Sequence, residues 1–161
     1  FRPPAEQLKN RLGLGNTHAS KFMPVQAQQF VDKYEVLAQY RNDMEDPKGT
    51  GFSATLFKDR NTGELTLSMR STEFLDDEVR DSKATNELEL KDLGWGFGQI
   101  SEMENWYKNT LRAPGGLLDG KQFNVTGYSL GGHLATAFSI LRQEQADPQN
   151  LDPRAKGTRP L

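Results

Sequence analysis

One serine in this chain has a setting that predicts chemistry. Residues 127–131 read Gly-Tyr-Ser-Leu-Gly, a G-x-S-x-G pattern with Ser129 at its centre. A short run with alternating apolar residues (123–126) precedes the pattern, and an apolar, helix-forming run (132–142) follows it. A strand, a sharp turn that holds a serine and a helix together make the context of a nucleophile elbow. We therefore predict that Ser129 is a nucleophile.

The neighbours of Ser129 suit that role. A serine between a strand and a helix must adopt a strained backbone, so that its hydroxyl stands clear of the sheet. The residues two positions away crowd this turn, and Gly127 and Gly131 remove the clash. The following helix directs free N–H groups and the positive end of its dipole at the serine. We expect the N–H of Leu130 to bind the oxyanion of a tetrahedral intermediate.

The nine residues 127–135, Gly-Tyr-Ser-Leu-Gly-Gly-His-Leu-Ala, resemble the nucleophile region of α/β-hydrolase lipases. The resemblance is to the class 3, or fungal-type, lipases and their large secreted bacterial relatives, and it covers residues 34–142. It implies a partial α/β-hydrolase fold, hydrolysis of the carboxylic esters of lipids through an acyl-enzyme, and no redox cofactor. Some large relatives carry calcium-binding repeats, which this sequence does not show, so we predict neither a metal nor a cofactor.

The resemblance also implies a second oxyanion donor. Class 3 lipases have a strand that ends in Arg-Gly-Thr, and its threonine or serine supplies this donor. Here the corresponding run ends in Arg70-Ser71-Thr72, so Arg70 and Thr72 match while Ser71 replaces the glycine. Thr72 is therefore the predicted second donor to the oxyanion.

A catalytic base and acid are not identified in this chain. In this fold class the triad follows the order Ser, then Asp or Glu, then His. The only histidine after Ser129 is His133, which lies one helical turn on, and we interpret it as a structural residue. His18 is interpreted as solvated or structural, and Asp147 and Asp152 as exposed. We expect the base and acid to lie outside this chain, which alone is then inactive as an esterase.

Local patterns predict the elements that position the elbow. Residues 1–33 form an N-terminal segment with two helical patterns, and residues 34–142 form the N-terminal part of the hydrolase domain. Within 34–142 we predict a strand over 34–40, a β-hairpin from the runs 52–57 and 65–70, and an aromatic amphipathic helix over 100–111. A long acidic loop separates the hairpin from this helix. Residues 143–161 are interpreted as a polar tail or loop of a truncated domain.

Composition limits the classes of function. The 161 residues carry a net charge of −2, which gives no basic field for nucleic acid. There is no cysteine, so disulfides and thiolate chemistry are excluded. No apolar run approaches a membrane span, and no signal-like stretch is present. The resemblance implies a lipid ester substrate, transient contact with a membrane or lipid surface, and secretion.

Two alternatives and one structural expectation accompany this interpretation. The chain is alternatively a binding or interaction module on a hydrolase scaffold that lacks the acid and base. Other activities of the same fold, such as acyl transfer, thioester hydrolysis or phospholipid cleavage, share the elbow. Both chain ends resemble cuts, and we expect no strand after the elbow helix. The sheet then has an unpaired edge that the remainder of the hydrolase would cover.

Overall fold

The protein combines helices with one mixed β-sheet. The computed structural model describes residues 4–15, 21–40, 50–70, 97–128, 130–145 and 158–160. The helices in these ranges are α1 (Ala5–Leu14), α2 (Pro24–Lys33), α3 (97–106, continued by a π-helical turn at Tyr107–Leu111) and α4 (Leu130–Gln145). The strands are β1 (Tyr34–Tyr40), β2 (Ser53–Asp59), β3 (Leu65–Arg70), β4 (Phe123–Gly127) and β5 (Thr158–Pro160).

The strands follow chain order across the sheet, β1-β2-β3-β4-β5. Strands β1, β2 and β3 are antiparallel neighbours, which confirms the predicted first strand and hairpin. Strands β3, β4 and β5 are parallel neighbours. A parallel pair needs a crossover connection, and helices α3 and α4 lie in the connections between these strands. The mixed α/β class predicted from the sequence is thus correct.

The main core lies between the sheet and the helices α3 and α4. Alternation in β3 buries Leu65, Leu67 and Met69 on one face. The buried apolar residues of α3, its π-helical turn and α4 join the same cluster: Met103, Tyr107, Leu111, Leu134, Ala135 and Phe138. Trp106 lies partly buried against this cluster, with its ring centroid 5.5 Å from that of Tyr40. Strand β4 and helix α4, which flank Ser129 in the chain, therefore both contribute to the packed core.

Helix α2 covers a different part of the sheet. It buries Ala27 and Val31, and its Phe30 ring meets the Phe57 ring of β2 edge-on at a centroid distance of 5.6 Å. Since side chains alternate along β2, Phe57 points away from the face that carries the buried Leu56. Helix α1 packs on α2 and buries none of its own residues. The predicted N-terminal helices are both present.

The chain after residue 142 differs from the expectation of a polar tail. Helix α4 continues to Gln145, and residues 158–160 form β5, which pairs in parallel with β4. The prediction that no strand follows the elbow helix is therefore wrong. The short segment Thr158–Pro160 shows no alternating pattern of its own, and its pairing depends on the backbone of β4. Residues 146–157 and the acidic loop predicted between β3 and α3 lie outside the described residues.

Candidate active site

Both glycines of the G-x-S-x-G pattern occupy positions that have no room for a side chain. A Cβ placed on Gly127 would lie within 3.0 Å of backbone atoms of Gly131 and Gly132. A Cβ placed on Gly131 would lie within 3.0 Å of the carbonyl oxygen of Met69. The obstacles are backbone atoms, which cannot move aside as a side-chain tip can. Glycine is therefore the residue that fits these two positions without a shift of the backbone.

The end of β3 and the start of α4 are in direct contact. In the parallel register Met69 pairs with Gly127, so the C-terminal ends of β3 and β4 lie side by side. The built Cβ of Gly131 would also come within 3.2 Å of the Cα of Arg70, the last residue of β3. The chain that leaves β3 towards Thr72 therefore starts next to the first turn of the elbow helix.

The predicted nucleophile and oxyanion donors lie in the chain at or next to the ends of β3, β4 and α4. Leu130 is the first residue of α4, so its N–H is among those that an α-helix leaves without an acceptor of its own. Ser129 lies between β4 and α4 but is itself outside the described residues, as is Thr72. Tyr128, immediately before Ser129 in the chain, is 92% exposed.

The exposure of His133 agrees with its interpretation as a residue other than the catalytic base. It is exposed on α4, one turn after the helix begins. His18, Asp147 and Asp152 lie outside the described residues. Among the described residues, no group of three or more His, Cys, Asp or Glu side chains is placed to hold a metal ion.

The structure also reveals a carboxylate that the sequence did not single out. Glu102 of α3 accepts a hydrogen bond from the Tyr40 hydroxyl at 3.1 Å and another from the Thr50 hydroxyl. The pKa of Tyr40 is raised, first by burial and then by the negative charge of Glu102. More than fifty residues separate Glu102 from either partner in the sequence, so no local motif could have indicated this cluster.

A buried ion pair joins the two crossover helices and was likewise missed. Arg142 of α4 is 2% exposed and pairs with Glu104 of α3. Its guanidinium carbon lies 4.5 Å from the Tyr107 ring centroid and 4.8 Å from that of Phe138. Such stacking is a recurrent use of arginine. The pair fixes α4, and with it the helix end at the elbow, against α3.

The connection between α3 and β4 is held by a second buried arginine. Arg112 donates from Nη1 to the carbonyl oxygens of Leu118, at 2.5 Å, and Lys121, at 2.8 Å. These hydrogen bonds satisfy backbone acceptors in a segment without regular secondary structure. The Arg112 side chain therefore holds the turn before β4 in place.

Comparison with known proteins found no matching family model, curated protein or solved structure. Within the described residues, no helix is both long and apolar enough to cross a membrane.

Proposed function

We propose that this chain carries the nucleophile of a lipase-like serine hydrolase of carboxylic esters. The observation that carries the proposal is the pair of close backbone approaches at Gly127 and Gly131. They are the approaches that a nucleophile elbow requires of the G-x-S-x-G glycines. A serine in an ordinary turn does not need glycine two residues to each side.

The proposed mechanism uses the two parallel strand ends. Ser129 attacks the ester carbonyl, and the oxyanion accepts hydrogen bonds from the Leu130 N–H and from Thr72. The contact between Gly131 and the end of β3 supports this pairing, because Arg70, two residues before Thr72, lies beside the first turn of the helix that begins at Leu130. The intermediate then expels the alcohol, which takes the proton that the base removed from Ser129, and the acyl group stays on the serine. Water attacks this acyl-enzyme, so that the carboxylic acid leaves and the Ser129 hydroxyl is restored. The surface position of Tyr128 suits approach by a bulky ester such as a lipid.

A partial α/β-hydrolase fold is part of the same proposal. Two parallel crossovers through helices, with the serine turn at the carboxyl end of a strand, agree with it. In open α/β sheets this end of the strands is where ligands bind. In this proposal the base and acid lie outside this chain, and the lipid ester, secretion and transient contact with a lipid surface come with it.

A binding module on the same scaffold is the second candidate. The observation that favours it is the exposed position of His133, the only histidine that follows Ser129 in this chain. An active hydrolase needs a base that is held within hydrogen-bond reach of the serine. A module that only binds lipids would keep the scaffold and dispense with the base.

Labelling with a fluorophosphonate probe tests the proposal on the full-length gene product. We expect one adduct, on Ser129, and its loss in Ser129→Ala. The matched control is Ser139→Ala, because Ser139 lies on α4, the helix that follows Ser129, and its hydroxyl donates to the Ala135 carbonyl, 2.9 Å away. Folded protein without an adduct would overturn the hydrolase and favour the binding module. The 161-residue chain alone is expected to hydrolyse no nitrophenyl ester measurably.

A further inference from the structure

A cleft beside α2 lies away from the candidate active site. It has a volume of about 480 Å³, within the roughly 300–1,000 Å³ of small-molecule sites. One wall is a stripe of α2 with helical spacing: Gln26, Gln29, Phe30 and Lys33. The other lining residues that the structure describes are Lys21, Phe22 and Tyr34, the last at the start of β1.

The register of the sheet separates this cleft from the elbow. Tyr34 pairs with Asp59 at the end of β2, and the next pair in the hairpin joins Lys58 to Leu65 at the start of β3. The cleft therefore lies at the end of the sheet where β3 begins. Gly127 lies at the opposite end, where β3 and β4 finish. The cleft also lies beside β1, three strands from β4. A ligand there would not touch the proposed nucleophile.

The apolar part of the cleft is held in place by ring contacts. The Phe30 ring lies 5.6 Å from Phe22, 5.0 Å from Tyr34 and 5.6 Å from Phe57, centroid to centroid. Aromatic pairs at these separations favour one another beyond simple burial. The backbone N–H of Phe22 also donates to the Leu12 carbonyl at 3.0 Å, and this hydrogen bond holds Phe22 against α1. The aromatic surface is thus formed before any ligand arrives.

The charge of the cleft has one sign. Among its described lining residues, Lys21 and Lys33 carry a charge at neutral pH and none is acidic. Lys33 is 53% exposed and approaches Asp59 only to 3.8 Å, so its ammonium is still open to a second anion. The amides of Gln26 and Gln29 add polar groups between the two lysines. Aromatic walls with a cationic rim complement a molecule that has an apolar body and an anionic head.

We propose that this cleft binds a single long-chain carboxylate, with its chain against Phe22 and Phe30 and its head at the lysines. Two further exposed apolar side chains follow Phe22 in the chain: Met23 is 61% exposed and Val25 is 67% exposed. They extend the apolar surface beyond the cleft itself. This inference stands on the cleft alone and does not depend on the hydrolase.

Titration of the 161-residue chain with dodecanoate below its micelle concentration tests the proposal by calorimetry. Dodecyltrimethylammonium, which has the same chain and the opposite charge, is the control ligand and needs no variant. We expect saturable binding of dodecanoate and at least tenfold weaker binding of the cation. Equal affinity for the two ligands, or no binding of dodecanoate, would overturn the proposal. Binding to phosphatidylglycerol vesicles without binding of free dodecanoate would overturn it in favour of a membrane contact.

Variants then locate the bound carboxylate. Lys21→Met and Lys33→Met keep most of the side-chain bulk, and each should weaken dodecanoate binding about threefold, as exposed ion pairs do. The double variant should lose about tenfold, and Phe22→Ser about fivefold. Lys121→Met, exposed in the turn before β4, is the matched control and should bind as the unaltered chain does. Circular dichroism checks folding, and full affinity in the folded double variant would overturn the proposal.

Discussion

Gly131 shows how one residue connects the elbow with the neighbouring strand. Its Cα faces the backbone of Met69 and Arg70 so closely that a methyl group would collide with it. The same holds for Gly127 against the first turn of α4. These two glycines set the distance between β3, β4 and α4, and through it the geometry of the predicted oxyanion site.

Alanine substitution tests these close approaches. Gly127→Ala and Gly131→Ala should each lower the free energy of unfolding by about 3 kcal/mol, because backbone must move to admit the methyl group. Gly13→Ala is the control, since Gly13 lies in α1 with nothing within 4 Å of its built Cβ. It should stabilise α1 by about 0.5–1 kcal/mol. Urea unfolding gives the comparison, and an unchanged midpoint for Gly131→Ala would contradict the described geometry.

Asp59 predicts a pH dependence of stability. Its carboxylate accepts hydrogen bonds from the backbone N–H groups of Thr62, at 3.1 Å, and Asn61, at 2.8 Å. These bonds, with Thr62 first, lower the pKa of Asp59 in the folded protein. The resulting stabilisation is complete above the unfolded-state pKa, which is about 3.9, and is lost as pH falls through the lower folded-state pKa.

Asp59→Asn removes this contribution. The variant should be less stable than the unaltered protein at neutral pH, and the difference should shrink as pH falls below about 4. Thermal unfolding between neutral pH and the acid range measures it. Asp32→Asn, an exposed change on α2, is the control. A difference between Asp59→Asn and the unaltered protein that grows on acidification would show that the sign is wrong.

At the scale of elements, the contact between α3 and α4 rests on an ion pair within an aromatic cluster. Glu104 pairs with buried Arg142 and also, at 2.9 Å, with Lys108 in the same helix. Within the described ranges, the Nε and Nη1 atoms of Arg142 are buried without a hydrogen-bond acceptor. Arg142 thus brings a desolvated charge whose main compensation is Glu104. Losing that partner should cost more than losing the whole pair.

Three substitutions separate these effects. Glu104→Gln should destabilise the protein by about 3–5 kcal/mol, because it leaves a buried cation without its anion. Arg142→Met together with Glu104→Gln should recover most of that loss, since the desolvated charge is gone. Lys108→Met, which breaks only the exposed pair, should change stability by less than about 1 kcal/mol. Chemical denaturation measures all three, and a double variant as unstable as Glu104→Gln would refute this account.

At the scale of the whole molecule, stability is expected to be uneven. The sheet and the helices α3 and α4 share one buried cluster, whereas α1 contributes no buried residue and packs on α2. Elements with few buried apolar contacts open locally at lower free energy than the core. Helix α2, on which α1 packs, lines the proposed carboxylate cleft, so a bound ligand should oppose local opening of α2.

Hydrogen exchange followed by mass spectrometry or NMR tests this division. Amides of α1 should exchange at least about a hundredfold faster than those of β2 and β3, because α1 can open without disturbing the core. Saturating dodecanoate should slow exchange in α2 while leaving β3 unchanged. Equal protection in α1 and β3 would show that the chain opens only as one unit.

The sequence by itself determined the local elements. The structure has an element at each place where a local pattern predicted one. These patterns, each acting over a few residues, are the alternation over 34–40 and 65–70, the helical spacing over 24–33 and 100–111, and the turn residues between β2 and β3. The G-x-S-x-G pattern also named the two glycines that the fold needs. Local propensity and periodicity are sufficient for such predictions, since every cause lies within one turn or one strand.

Only the tertiary structure decided which distant segments meet. The pairing of 158–160 with β4, the contact of Gly131 with the end of β3, and the Arg142–Glu104 pair join residues far apart in the chain. The cleft beside α2 likewise depends on how the segment before the helix packs on it. Such contacts are set by strand pairing and by the shape of the common core. Both depend on the whole chain, so no short pattern could have predicted them.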